Sequence, residues 1–271
     1  MRHLTIIFSI FIWGLSCLTG SELSPKFKNN EVLTYVAKWT GVPAGEIVMT
    51  SRIFKSGEIE FMDMSLSAKT NGMLSMVYKV KETIKSRVSG NLFKTLTFRK
   101  ESKQGRRHYK ENFDFDYSTA TIKYEKNNLS KKSSPEKREY EIKEGVKQIF
   151  DPISVLYFLR TFEFSKENPI SPALSVFADK KGVYEVQYKL KKITYITSAT
   201  YGRRKVYNIE PTAEFKGTIV NSGKLELWVD VETGVLLRIK MSIPIGYASL
   251  ELRSAKGSDL KYKSFRYRRR K

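Results

Sequence analysis

From Glu31 onward the chain is patterned with period two. "EVLTYVAKWT" (31–40) alternates and runs into the Gly/Pro turn "GVPAGE"; "EIVMTSRIF" (46–54) returns, and "EIEFMDMSLSAK" (58–69) follows a turn at Lys55-Ser56-Gly57. "KETIKSRVS", "LFKTLTFRKES", "RRHYKENFDFDY" and "TATIKYEK" continue the alternation as an antiparallel meander. Strands resume at "ALSVFAD", "GVYEVQYKLKKITYI" and "RKVYNIEPTAEF", and "YASLELRS" closes the series. Between the last two, Leu225, Leu227 and Val229 alternate with Glu226, Trp228 and Asp230. A Glu-Thr-Gly turn follows, then Leu236, Leu237 and Ile239 with Arg238 and Lys240 between them. Strand, Gly-containing turn and strand predict a β-hairpin.

One segment departs clearly from this pattern. "DPISVLYFLRTF" (151–162) predicts a helix: Asp151 is an N-cap type, Pro152 sits where a missing N–H costs nothing, and Val155, Leu156 and Leu159 form an apolar face. "NGMLSMVYKV" (71–80) also breaks the alternation and has room for one helical turn. "NNLSKKSSPEKR" (127–138), polar and charged, predicts a mobile loop. No repeat, heptad or domain linker is found. The expected fold is all-β and mainly antiparallel: a curled open half-barrel or β-spiral sheet, with one or two short helices filling its concave side.

Composition changes the picture at the two ends. "MRHLTIIFSIFIWGLSCLTG" (1–20) has a basic start, an apolar run from Leu4 to Leu15, then small and polar residues. That is the layout of a secretory signal peptide, with an uncleaved N-terminal anchor as the rival reading. Cys17, the only cysteine, lies in this segment. Either it is a lipid anchor or it leaves with the signal, and Leu15 sits one place nearer it than a lipobox requires. An exported chain without disulfides suits a bacterial periplasm. Residues 21–271 then form one β domain ending in a basic tail, 262–271.

Charge is the strongest compositional signal. Without Arg2, 48 basic residues stand against 28 acidic ones, a net charge of +20. Such a field attracts polyanions or a phosphate-rich envelope surface, and export favours the surface over nucleic acid. In the tail, Arg266, Arg268, Arg269, Arg270 and Lys271 are interleaved with Tyr262, Phe265 and Tyr267 as candidate contacts to an anionic surface. A merely solvated terminus is the alternative.

The catalytic inventory is thin. His108 is the one histidine outside the N-terminal segment, and no G-x-S-x-G, H-E-x-x-H, G-x-G-x-x-G or Walker loop is present. Glycan hydrolysis needs only two carboxylates. Asp114 and Asp116 share one strand face but alternate with Phe113, Phe115 and Tyr117, the pattern of an outward-polar, inward-aromatic strand. Asp230 enters a turn, where Asp commonly bonds the following N–H groups. Trp228 and Asp230 share a face, and packing plus a cap explains the pair.

"EVLTYVAKWTGVPAGE", "DPISVLYFLR", "TYGRRKVYNIEP" and "GKLELWVDVETGVLLRIKM", in this order, resemble the successive signatures of the DUF3108 family, exported bacterial proteins of unknown function. The resemblance spans Glu31 to Leu252. In that family the last motif resembles a Trp-Leu-Ser-Asp-Asp strand end and a Pro-containing return strand; here Val stands in the Ser region and Leu236 where Pro is common. Asp151, Arg160, Trp228 and Asp230 are the matching positions and are expected to be structural. The resemblance implies an envelope location and an all-β open barrel with no established catalysis.

The expected function is that of a non-enzymatic periplasmic envelope protein that binds or handles an anionic or amphipathic component, without cofactor or metal. Its expected partners are lipid, an anionic surface or other envelope proteins. The alternatives are an envelope glycan hydrolase built on Asp114, Asp116, Asp151 and Asp230, and a scaffold that pairs through its sheet edges. Arg160 is expected to reach a carboxylate on the sheet, Asp230 being one candidate.

Overall fold

The computed structural model describes residues 23–72, 75, 79–90, 92–131, 133–179, 182–212, 225–244 and 246–260. Cys17, the N-terminal apolar run and the tail residues Arg266, Arg268, Arg269, Arg270 and Lys271 lie outside the described residues, as does most of the helical turn expected in 71–80.

Alternation becomes strand in each predicted segment, with two corrections: "GVYEVQYKLKKITYI" breaks at Gln187 into two strands, the first of which leaves the main sheet, and the loop expected over 127–138 is strand at both its ends. The first half of the chain supplies β1 (Val32–Trp39), β2 (Val42–Ser56), β3 (Ile59–Thr70), β4 (Val80–Ser89), β5 (Lys94–Gln104), β6 (Arg107–Asp116), β7 (Thr121–Asn128) and β8 (Glu136–Glu141). The second half supplies β9 (Leu174–Asp179), β10 (Gly182–Val186), β11 (Tyr188–Ser198), β12 (Gly202–Pro211), β13 (Leu225–Asp230), β14 (Leu236–Ser242) and β15 (Tyr247–Lys256). Thirteen of them form one antiparallel sheet in the order β11-β12-β13-β14-β15-β1-β2-β3-β4-β5-β6-β7-β8, and β9–β10 stands apart as a hairpin. The sheet is two meanders joined by the β1–β15 pair, so the start of the domain lies beside its last strand. β8 and β11 are its edges; the sheet does not close.

The chain between the edges, 142–187, crosses one face of the sheet, which is thereby the inner one. Ile149, Phe150, Ile153, Val155, Tyr157 and Leu159 from this segment are buried against inward residues such as Leu33, Tyr35, Met62, Met64 and Ile122. Phe177 of β9 lies edge-on to Phe113 and Phe115 of β6, with ring centroids 4.7 and 5.6 Å away. The inward aromatic face predicted for β6 is therefore the wall on which the β9–β10 hairpin packs.

The predicted helix over 151–162 is shorter than expected. α1 covers only Ser154–Phe158, and Leu159–Thr161 tighten into a 3-10 turn. The Val155 N–H already donates to the Asp151 carbonyl at 3.1 Å, so the turn opens at Asp151. Four-residue bonding stops early because β-branched and aromatic side chains lose rotamer freedom in a helix, and so short a segment depends on packing.

Candidate functional site

The four family-motif positions converge on the end of the sheet that carries α1. Asp151 is fully buried, and both its oxygens are used. Oδ1 accepts the N–H groups of Ile153 and Ser154 at 2.8 and 3.1 Å, while Oδ2 accepts the hydroxyls of Ser86 and Thr95 at 2.5 and 2.9 Å. It caps the helical turn and ties it to β4 and β5.

Arg160 does not reach Asp230. Its guanidinium forks onto the Glu31 carboxylate, Nη1–Oε1 at 3.1 Å and Nη2–Oε2 at 2.8 Å, and lies 4.4 Å from the centroid of the Tyr157 ring. Burial disfavours the Arg160 charge, yet Glu31 outweighs it and the group stays above its ordinary pKa. Asp230 is held by Arg204 instead, at 2.7 and 2.9 Å, because β12 runs beside β13 and its register sets Arg204 close to the strand end. Asp230 Oδ1 also accepts the Thr233 N–H and hydroxyl, both at 2.8 Å, which closes the β13–β14 turn. Trp228 packs under its cross-strand partner Arg238, 5.8 Å from the ring centroid. Three of the four motifs also touch one another: the Tyr35 hydroxyl donates to the Leu236 carbonyl at 3.0 Å, and Gly234 lies against the backbone of Arg160. Glu31, Asp151, Arg160 and Asp230 are buried, and with their partners they form a polar frame at this end of the sheet.

The other carboxylates weighed for hydrolysis are each engaged separately. Asp114 faces outward and pairs with Arg99 of β5. Asp116 accepts from Ser118 and Thr119 in the β6–β7 turn, and these bonds hold its carboxyl down at about 2. His108 bonds Glu101 across the β5–β6 hairpin at 2.8 Å. Among the described residues, no cluster of three or more His, Cys, Asp or Glu side chains could hold a metal ion.

A groove of about 530 Å³ lies elsewhere, across β2 to β5. Alternation turns Met62, Met64, Ser86 and Phe98 into the core, so their neighbours point outward. Register then aligns Arg52, Asp63, Arg87 and Thr97 in one row, and Thr50, Ser65, Lys85 and Arg99 in the next. Hydroxyls form the floor, with Thr50 and Ser65 2.7 Å apart, and cations form the walls. Arg87 is committed to Asp63 through two bonds of 2.6 and 2.8 Å, and Arg99 to Asp114. Arg52 and Lys85 are exposed and have no ion-pair partner among the described residues. Two free cations above a hydroxyl floor can take the oxygens of a phosphate or carboxylate.

Sequence reasoning missed Glu31, Arg204 and the groove. The signal for the groove was present: basic residues at outward positions of three of its four strands, "SRIF" on β2, "IKSRV" on β4 and "TFRKE" on β5. Their alignment depends on register, which composition does not carry.

Comparison with known proteins agrees with this architecture. A crystal structure of a beta-barrel-like protein of domain of unknown function DUF1849 from Brucella abortus superposes with a TM-score of 0.53 at 8% identity, covering 86% of this chain and 99% of that one. At that identity the likeness concerns the fold alone. No curated protein matches the sequence. The family described as protein of unknown function (DUF3108) matches residues 34–253, which include the whole sheet apart from the first residues of β1 and the last of β15. The chain belongs to the DUF3108 family.

Proposed function

We propose that the protein is a non-enzymatic binding protein of the bacterial cell envelope, exported by its N-terminal segment, which holds an anionic group of an envelope component in the β2–β5 groove. The observation that carries the reading is the pair Arg52 and Lys85, two exposed cations facing hydroxyls on the groove floor without carboxylate partners among the described residues. Net positive charge over the chain favours the same class of ligand by raising its local concentration. The engagement of Asp114, Asp116, Asp151 and Asp230 in caps and ion pairs supports binding over hydrolysis.

Titration of the protein with dihexanoyl-phosphatidylglycerol, monitored by calorimetry beside inorganic phosphate, tests the reading. Saturable binding is expected. It should weaken roughly tenfold or more when Arg52→Ser and Lys85→Ser are combined, since each charge-assisted hydrogen bond is worth about 1.5–3 kcal/mol. Unchanged binding by the double variant would show that the groove is not the site.

A further inference from the structure

The opposite end of the sheet from α1 carries an apolar tip ringed by cations. The β1–β2 hairpin closes there through a two-residue turn, Thr40-Gly41, with φ of 49° and 87°, and Trp39 and Val42 are the cross-strand pair that flanks it. Both are exposed, 44% and 60%, and Pro43 beside them is exposed as well. Turn tips are ordinarily Gly, Asn, Asp or Ser, so a tryptophan next to a valine and a proline is unusual chemistry for a solvated turn. The neighbouring β14–β15 turn braces this one. The Thr40 N–H donates to the Tyr247 carbonyl at 2.8 Å, and Gly246 packs against the Thr40 side chain. That turn adds Ile243 and exposed Pro244, while exposed Lys240 lies over the Tyr247 ring at 4.5 Å.

Antiparallel order brings the β3–β4 and β5–β6 connections to the same end. There Lys69, Lys81 and Lys103 stand directly opposite one another on three adjacent strands, all exposed and outward. Like charges in direct cross-strand register repel. Glu46 contacts Lys69 at 3.1 Å, whereas Lys81 and Lys103 have no carboxylate partner among the described residues. Arg106 in the β5–β6 turn and Arg107 at the start of β6 continue the rim.

We infer that this end of the sheet docks onto an anionic lipid bilayer, with Trp39, Val42 and Pro43 entering the interface and the Lys69–Lys81–Lys103 row contacting the headgroups. An indole prefers the headgroup level of a membrane, and lysines beside it place their charge among phosphates. The lysine repulsion, unfavourable in solution, is relieved by that contact. The inference shares with the groove reading only the anionic envelope partner and uses none of the groove's residues.

Trp39 reports directly on this docking. In the full chain with Trp13→Phe and Trp228→Phe, Trp39 is the sole indole. Mixed with phosphatidylglycerol vesicles carrying brominated acyl chains, its emission should shift to the blue and be quenched, with little change on pure phosphatidylcholine. Adding Val42→Asp should abolish the quenching, and Lys81→Gln with Lys103→Gln should lower the apparent affinity roughly tenfold or more. Arg52→Ser with Lys85→Ser should leave Trp39 quenching intact, which separates a failure of this inference from a failure of the groove. Vesicles that sediment the protein while Trp39 stays unquenched would overturn it. So would quenching that persists unchanged in the Lys81/Lys103 double variant.

Discussion

Arg160 and Glu31, 129 residues apart in the chain, form a two-bond ion pair with side-chain exposures of 3% and 0%. The pair clamps the segment that crosses the inner face onto the start of β1. Removing one partner leaves the other charged and buried. Glu31→Ala or Arg160→Ala alone should therefore cost about 3–5 kcal/mol in urea unfolding, whereas Glu31→Leu combined with Arg160→Met should recover most of that loss. Losses that simply add in the double variant would show that the pair does not couple.

Gly234 makes a second contact to Arg160, through shape. It has φ +70°, and a Cβ on it would lie 2.7 Å from Arg160 Cβ and 2.9 Å from the Arg160 carbonyl oxygen. Gly57 in the β2–β3 turn has a similar φ, +62°, with nothing within 4 Å of an added Cβ. Gly57→Ala should cost about 1 kcal/mol, the left-handed backbone penalty alone. Gly234→Ala should cost at least about twice that, because backbone must shift as well. Equal midpoints for the two variants in thermal melts would remove the packing argument.

Asp151→Ala removes more than a helix cap. Two N–H groups and two hydroxyls, on Ser86 and Thr95, lose their acceptor in the core. The expected destabilisation is about 2–3 kcal/mol, against about 1 kcal/mol for an ordinary exposed N-cap. Asp151→Asn, which keeps one carbonyl oxygen for the N–H groups, should fall between the two in urea unfolding.

Period-two alternation made most of the sheet legible, because burial of one face requires it. Phe113 and Phe115 point inward and Asp114 outward, as their pattern predicts. The turn at Asp230 and the position of Asp151 at the start of a helical turn were legible too, since both are local bonds within three residues. What alternation cannot state is which strands become neighbours. Arg160 was expected near Asp230, but β12 delivers Arg204 there, and the β1–β15 pairing brings Glu31 into reach of α1. The groove was hidden for the same reason: Arg52 and Lys85 come together only through the β2–β3 and β3–β4 registers.

Buried tyrosines set an alkaline limit. Burial pushes Tyr157 up to about 12 from 10.0, and Tyr35 and Tyr188 higher still. Their folded-state values lie above the unfolded one, so their contribution is intact below pH 10 and is lost as pH rises through the folded values. The unfolded chain ionises first and gains. Urea stability should hold from pH 8 to about pH 10 and then fall, by up to about 1.4 kcal/mol per pH unit for each such tyrosine. Phenolate absorbance rising together with loss of structure would support this. Full ionisation in a still-folded protein would contradict it.

β11 is an edge strand whose first residues alone are covered among the described residues, through bonds between Ser171 and Tyr188 and between Pro169 and Leu190. From Lys191 to Ser198 its sheet partner among the described residues is β12 on one side only. Ile193 and Tyr195 are exposed there, 39% and 54%, which makes this stretch a template for pairing with another chain. Two devices oppose that. The register shifts between Leu190 and Lys192, a bulge that bends the edge, and Lys191 and Lys192 put charge at the same point. Lys191 is held by Glu226 at 3.0 Å, whereas Lys192 is exposed without an ion-pair partner among the described residues. Lys192→Val therefore removes the guard without breaking an ion pair among the described residues. Its melting temperature should stay within a degree or two of the parent, since exposed substitutions change stability by about 0.5 kcal/mol or less. Light scattering after size-exclusion chromatography should nevertheless show dimers and larger species growing with concentration. A variant that stays monomeric at the highest concentrations would mean that the bulge alone protects the edge.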